Sequence, residues 1–186
     1  MAHTVESERT KYQKMWEFTD YRKFSPAEKE YKKVLEHLKH HACENVLDLG
    51  CGTGRLAMKL ADEGFSVRMV DIAANCLDQK VNEGLSTYLT FEQDYLWSDS
   101  VAEMRADCVI CIDVLEHIPP EHVDKVCQTL RQAAPHGYVN AALYKDGFGK
   151  RIRDTLHLTV RPSMWWFDKF PDARHTVSGS DAWIVW

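Results

Sequence analysis

The sequence predicts an α/β fold: a doubly wound, mostly parallel seven-stranded sheet that ends in a C-terminal antiparallel hairpin. Three observations carry this. Short apolar runs alternate with helical patterns through residues 45–144. A glycine-rich turn joins the first strand to the helix after it. Residues 174–178 and 182–186 flank Gly179-Ser180-Asp181, which reads as a hairpin turn.

The elements follow in order. Residues 1–25 are polar with interleaved aromatics, Tyr12, Trp16, Phe18, Tyr21 and Phe24. Ser25-Pro26 opens a helix, with Ser as N-cap and Pro in the first turn, and Tyr31, Val34, Leu35 and Leu38 continue it at helical spacing to about His40. Strand one is 45–49, a helix covers 54–63, and Gly64 closes it. Strand two is 66–70, residues 73–83 read as helical, and 89–93 is a short third strand. The apolar run 106–112 fits a fourth strand buried on both faces. Pro119-Pro120-Glu121 opens a helix to about Ala133, Pro135-His136-Gly137 reads as a turn, and 138–144 is strand five. Residues 145–158 read as a loop with some helix, and 162–169 as a short helix.

A chain of 186 residues suits one domain with one sizeable core. A net charge of −5 argues against broad binding to phosphate backbones. The polar start predicts no secretory signal, and no apolar run is long enough to cross a bilayer. The six cysteines are scattered, mostly within apolar patterns. Cys108 and Cys111 have the CxxC form, but residues three apart on a strand face opposite sides and cannot share a metal. Buried structural thiols and a reducing, cytoplasmic compartment are the expectation.

The chemistry concentrates in Val46-Leu47-Asp48-Leu49-Gly50-Cys51-Gly52-Thr53-Gly54 and in Val67-Arg68-Met69-Val70-Asp71. Alternate glycines let the backbone pass close to a ligand, and a carboxylate ending strand two can accept both hydroxyls of a ribose. Asp48 discriminates among nucleotides. A buried carboxylate repels a pyrophosphate but attracts the ammonium and sulfonium of S-adenosylmethionine (SAM).

Together with Phe91-Glu92-Gln93-Asp94-Tyr95 and Ile112-Asp113-Val114-Leu115-Glu116-His117-Ile118, these stretches resemble the successive motifs of class I SAM-dependent methyltransferases. The resemblance spans about residues 45–144 and implies a Rossmann-like fold, with SAM as cofactor and S-adenosylhomocysteine (SAH) as product. It implies that Asp48 lies near the methionine amino group, and that the loop of Gly50, Cys51, Gly52 and Gly54 runs under methionine and ribose. It places Asp71 on the ribose hydroxyls and Ile72 on the adenine. Asp94 accepts the adenine amino group with Tyr95 beside it, and Asp113 and Val114 line the methionine end.

The resulting expectation is one domain: an N-terminal lid or arm (1–25), a cofactor-binding core (26–144), and an acceptor-side loop with the terminal hairpin (145–186). His117, His157 and Tyr144 are the candidates for a general base, and Tyr12, Trp16, Tyr21, Arg161 and Trp165 for acceptor contacts. Plainer readings stand beside these. Glu116-His117 can cap the next helix, His157 can hold its loop, and the arm can pack on a sheet edge. Lys145, Lys150, Arg151, Arg153 and Arg161 form either a clamp for an anionic acceptor or a solvated loop. No metal is expected, because the Asp residues are assigned to the cofactor and the His residues lack ligand spacing. The expected reaction is methyl transfer to a small-molecule acceptor, on O or N rather than C, with no DNA or membrane partner. No Asn/Asp-Pro-Pro-Tyr/Phe follows strand four and no Pro-Cys pair is present, which disfavours DNA amino- and base C5-methylation. A protein or RNA methyltransferase, a non-catalytic SAM-binding module and a dinucleotide oxidoreductase are the alternatives.

Overall fold

The computed structural model describes residues 3–23 and 25–186; of the arm aromatics, Phe24 lies outside them. One seven-stranded sheet has the order β3-β2-β1-β4-β5-β7-β6. Its strands are β1 (Asn45–Leu49), β2 (Ser66–Asp71), β3 (Leu89–Gln93), β4 (Cys108–Cys111), β5 (His136–Ala142), β6 (Arg174–Ser178) and β7 (Asp181–Val185). β1 pairs in parallel with β2 and β4, and β7 runs antiparallel between β5 and β6. The order reverses at β1 and β4, so a crevice opens beyond their carboxyl ends.

Helices α1 (Val5–Met15), α2 (Thr19–Lys23), α3 (Pro26–Lys29) and α4 (Tyr31–His40) precede the sheet. α5 (Arg55–Asp62), α6 (Gln79–Glu83), α7 (Asp99–Ala102), α8 (Val123–Ala133) and α9 (Ser163–Phe167) follow within it. α8 buries Val123, Val126, Cys127 and Leu130 at helical spacing, and α5 buries Leu56, Ala57 and Leu60. Each side chain of that size taken fully out of water contributes roughly 1.5–3 kcal/mol. The two helical layers make two cores, one on each sheet face. Val109 and Cys111 enter the first, and Cys108 and Ile110 the second. The CxxC thiols therefore do face opposite ways, and all six cysteines are free and buried.

Three elements differ from expectation. The helix expected over 73–83 is confined to Gln79–Glu83. The chain before it spends the carbonyls of Asn75, Cys76 and Leu77 on the Arg22 guanidinium instead of on helical bonds. The helix begun at Pro26 breaks at Glu30 into α3 and α4. The turn expected at His136-Gly137 is the start of β5. Gly137 exchanges backbone hydrogen bonds with Trp186, and a Cβ there would lie 2.3 Å from the Trp186 ring, so the missing side chain allows the strand to pass under the indole.

Candidate active site

The glycine loop leaves β1 by folding against β2: the Gly50 and Cys51 N–H groups donate to the Val70 carbonyl at 2.8 and 3.1 Å. Gly50 has φ +80, and a Cβ there would meet Val114 Cγ2 at 2.4 Å. Glycine is thus required twice, by the dihedral and by the approach of the β4 turn. Asp71, at the end of β2, accepts the Gly52 and Ala73 N–H groups at 3.0 Å each. Burial pushes its carboxyl up to about 6, against those donors.

On the β4 side, Asp113 takes a left-handed conformation with φ +60. A non-glycine residue held there stores roughly 1–3 kcal/mol of strain. Its N–H donates to the buried Asn140 Oδ1 at 2.7 Å, which holds the turn and brings Asp113 and Val114 to the crevice. Asp94 is fixed past β3 by the Tyr95 N–H and by the hydroxyls of Ser98 and Ser100.

The N-terminal arm covers this crevice. Tyr12 Oη lies 2.8 Å from His117 Nδ1, and Lys11 Nζ donates to the Thr155 carbonyl at 3.2 Å. Arg22 binds the carbonyls of Trp16, Cys76 and Leu77, anchoring α2 across the β2–α6 connection. Trp16 lies over the glycine loop and packs on Tyr21, with ring centroids 4.7 Å apart.

The cavity, open to solvent at its mouth, holds about 940 Å³ of empty space with the mouth included and is lined by Tyr12, Trp16, Tyr21, Gly50–Thr53, Asp71, Ile72, Asp94, Asp113, Val114 and His117. The expected lid, glycine-loop, ribose and methionine-end residues thus come together, apart from Gly54. Gly54 is the αL N-cap of α5, facing Val81 and Leu77 rather than the cavity. Glu8, Ser25–Ala27, Leu96, Trp97, Ile112 and Ile118 also line it and escaped sequence reasoning. Trp97 carried a usable signal, an aromatic just beyond the Asp94 strand end. It stacks on His122 at 4.8 Å between centroids. Tyr95 does not line the cavity; it turns toward the core, and Leu96 and Trp97 take the wall.

Asp48 does not reach the lining either. It is 2 % exposed, and its Oδ2 has no hydrogen-bond partner among the described residues. Burial, then the neighbouring Asp71, pushes its carboxyl up to about 7.

Of the base candidates, only His117 lines the cavity. Burial, then His157, pushes its imidazole down to about 4, so it is neutral at pH 7. His157 stands behind it, with ring centroids 4.7 Å apart and Nδ1 2.6 Å from the Tyr144 carbonyl oxygen. Tyr144 is half exposed and outside the lining. Glu116, 0 % exposed, has both carboxylate oxygens without a hydrogen-bond partner among the described residues. Burial and the adjacent Asp113 push it well above the usual carboxylate range.

Arg161 and Trp165 are placed away from the cavity. α9 turns Trp166 into the core, which leaves Trp165 outside beneath the cations of Arg161 and Lys169. Arg151 pairs with Asp20, and none of the five loop cations lines the cavity.

The lining carries four carboxylates, from Glu8, Asp71, Asp94 and Asp113, among aromatic rings, and no Lys or Arg. Such a wall repels a pyrophosphate and suits a nucleoside that bears positive charge, with the rings adding cation–π attraction. Fold and site together define a doubly wound nucleotide-binding domain made for a cationic nucleoside.

The comparisons narrow this class to a family. A family model described as a methyltransferase domain matches residues 14–178, and the chain belongs to that family, the class I SAM-dependent methyltransferases. It is 30 % identical over 111 residues to the ubiquinone biosynthesis O-methyltransferase of Paraburkholderia phytofirmans, covering 58 % of this chain and 47 % of that protein. It is 35 % identical over 112 residues to the protein of the same name from Chromobacterium violaceum, covering 56 % and 47 %. The chain thus spans less than half the length of these relatives. Among solved structures it superposes on a DhpI–SAH complex with TM-score 0.69 at 14 % identity, over 100 % of this chain and 97 % of that one. It matches the SAM-bound magnesium protoporphyrin IX methyltransferase of Synechocystis PCC 6803 with TM-score 0.61 at 20 % identity, over 100 % and 83 %.

Proposed function

We propose that the chain transfers a methyl group from SAM to a small hydroxylated acceptor by in-line displacement. The carrying observation is the acidic, aromatic lining without a cation at the carboxyl ends of β1, β2 and β4. Asp71 accepts the ribose hydroxyls, Asp94 the adenine amino group, and Ile72 and Trp97 pack on the rings. Asp48 acts through the loop, biasing the methionine end toward positive charge. SAM supplies a methyl carbon on a sulfonium that leaves as the neutral thioether of SAH.

The protein's part is alignment and exclusion of water, and alignment alone contributes on the order of 7–11 kcal/mol in favourable cases. Tyr12, Trp16 and Tyr21 close the site as the lid. His117 faces the acceptor and presents a neutral imidazole to it. The relatives' name, a ubiquinone biosynthesis O-methyltransferase, supports oxygen as the acceptor atom. The absence of Lys and Arg from the lining weighs against an anionic acceptor group inside the cavity. No helix among the described residues is long and apolar enough to cross a membrane, and a cytoplasmic site of action fits the six reduced thiols.

Calorimetric titration with SAM, SAH and NAD tests the reading. Binding of SAM and SAH alone is expected, followed by SAH formation on a panel of hydroxylated acceptors. Binding of NAD without SAM overturns the cofactor. SAM binding without turnover on small or macromolecular acceptors leaves only a binding module.

A further inference from the structure

We propose that Glu116, His117 and His157 form a binding site for a divalent transition-metal ion in the wall of the cavity, open toward the acceptor. The inference rests on the reading of that cavity as the transfer site. It goes further by making the acceptor an oxygen ligand of the ion.

Geometry carries it first. One ligand atom from each residue lies within 4.8 Å of the other two. Bonds of about 2.0–2.2 Å to a metal set donor atoms about 3–3.5 Å apart, so closure needs shifts of about 1 Å. Glu116 is 0 % exposed, and neither of its oxygens has a hydrogen-bond partner among the described residues. A carboxylate buried in that way either keeps its proton or meets a cation. Among the described residues no ion pair brings a Lys or Arg to it, which leaves the place of the cation to an ion held with the two imidazoles.

The two imidazoles are set up for the same partner. His157 Nδ1 lies 2.6 Å from the Tyr144 carbonyl oxygen, and His117 Nδ1 lies 3.2 Å from that of Leu156. A carbonyl only accepts, so the His157 ring carries its proton on Nδ1 and keeps a lone pair on Nε2. His117 Nδ1 also lies 2.8 Å from the Tyr12 hydroxyl, and the tautomer with its proton on Nδ1, facing that oxygen and the Leu156 carbonyl, is the one that leaves Nε2 to an ion. Metal-bound histidines are oriented in this way, by donating the other ring N–H to a carbonyl. His117 Nε2 is 3.9 Å from Glu116 Oε1, too far for a hydrogen bond and close enough to share an ion.

The frame is stiff. The Thr159 N–H donates to the Glu116 carbonyl and the Thr159 hydroxyl to the Ile118 carbonyl, both at 2.8 Å, which holds the His157 loop against the β4 turn. The Asp146 carboxylate receives the Leu156 and His157 N–H groups from the other side. One carboxylate with two imidazoles suits Zn²⁺, Mn²⁺ or Fe²⁺ better than Mg²⁺ or Ca²⁺. His117 lines the cavity, so the remaining coordination positions face it and can take an acceptor hydroxyl oxygen. In this arrangement the ion, rather than the His117 lone pair, activates the acceptor: it lowers the pKa of the bound hydroxyl, whose proton leaves to solvent as the oxygen takes the methyl group and SAH departs as the thioether.

The test uses the whole chain stripped with chelator and titrated calorimetrically with Zn²⁺, Mn²⁺ and Mg²⁺, with SAH titrated in parallel. Expected are one equivalent of Zn²⁺ or Mn²⁺, much weaker Mg²⁺, and at least about tenfold weaker metal binding in Glu116→Gln and His157→Gln. Co²⁺-loaded wild-type protein should show two paramagnetically shifted, exchangeable imidazole N–H resonances, which keeps the test independent of how the variants fold. Failure of folded wild-type protein to bind metal while still binding SAH overturns the site and leaves the cofactor reading intact. Binding undiminished in both variants overturns it too, and moves the ion to surface imidazoles such as His40, His41 and His136. Loss of SAH binding instead strikes the cofactor reading.

Discussion

Asp71 accepts two backbone N–H groups in a buried position, and burial holds its carboxyl near 6. In the proposed ribose contact only the ionised form can accept those donors and the two hydroxyls together. SAM affinity should therefore fall as pH drops below about 6, and Asp71→Asn should bind SAM ten- to hundredfold more weakly at pH 7.5, about 1.5–3 kcal/mol. Calorimetry at pH 5 and 7.5 checks both; a flat profile removes Asp71 from the ribose. Asp48 gives a stability test. Its carboxyl is raised to about 7 by burial, so the native state binds its proton more tightly than the unfolded chain does. That contribution is full below about pH 4 and is lost as pH rises through 7. At pH 8 the ionised carboxylate is a burden that Asn does not carry. Asp48→Asn should raise the melting temperature of the ligand-free protein by several degrees at pH 8, at about 2–4 °C per kcal/mol, with the gain shrinking toward pH 5. An equal effect at both pH values contradicts the assignment.

Helices α1 and α2 have few buried apolar positions of their own and are held over the cavity by polar ties. Arg22 bridges α2 to three carbonyls of the β2–α6 connection, and Lys11 reaches the loop after β5. Arg22 makes the most hydrogen bonds that hold α2 in place, beside the Asp20–Arg151 ion pair and the Tyr21 ring on Trp16. Arg22→Ala should accelerate SAH dissociation about tenfold in stopped-flow displacement, with a much smaller change in the global melting midpoint, since Arg22 meets the core only at its rim, through the carbonyls of Trp16, Cys76 and Leu77. Unchanged dissociation places the arm outside the release path. The same interaction explains the missing helix at 73–78, where carbonyls serve Arg22.

Across the molecule, the six thiols lie in or against the two cores and are all buried. Burial pushes Cys51 and Cys111 well above the ordinary thiol range and Cys127 to about 12. Thiolate is the reactive form, so native protein should label slowly with a thiol reagent at pH 7.5 and yield six equivalents after denaturation. Reductant should not move the melting temperature. A fast-labelling native thiol would mark an opening of the sheet that the packing does not contain.

Local pattern was enough for the sheet, the glycine loop, Asp71 and Asp94, because each rests on short-range physics: strand periodicity, a turn that requires glycine, a carboxylate at a strand end. It was also enough for Tyr12, Trp16 and Tyr21 as a cover, by resemblance. Its failures have one cause. Tyr95 against Trp97, Arg161 and Trp165 outside the cavity, and the β5 start at His136 depend on which neighbour each side chain meets across the fold. Glu116 and His157 lie far apart in sequence, so no spacing rule pairs them. Thr159 and the β4 turn bring them together. The amino-acid order by itself determined the class of fold and the nucleoside-binding edge of the sheet. Only the tertiary structure decided which side chains line the cavity, because its wall is assembled from the β4 turn and the arm, with the loop after β5 behind it, each placed by long-range contacts.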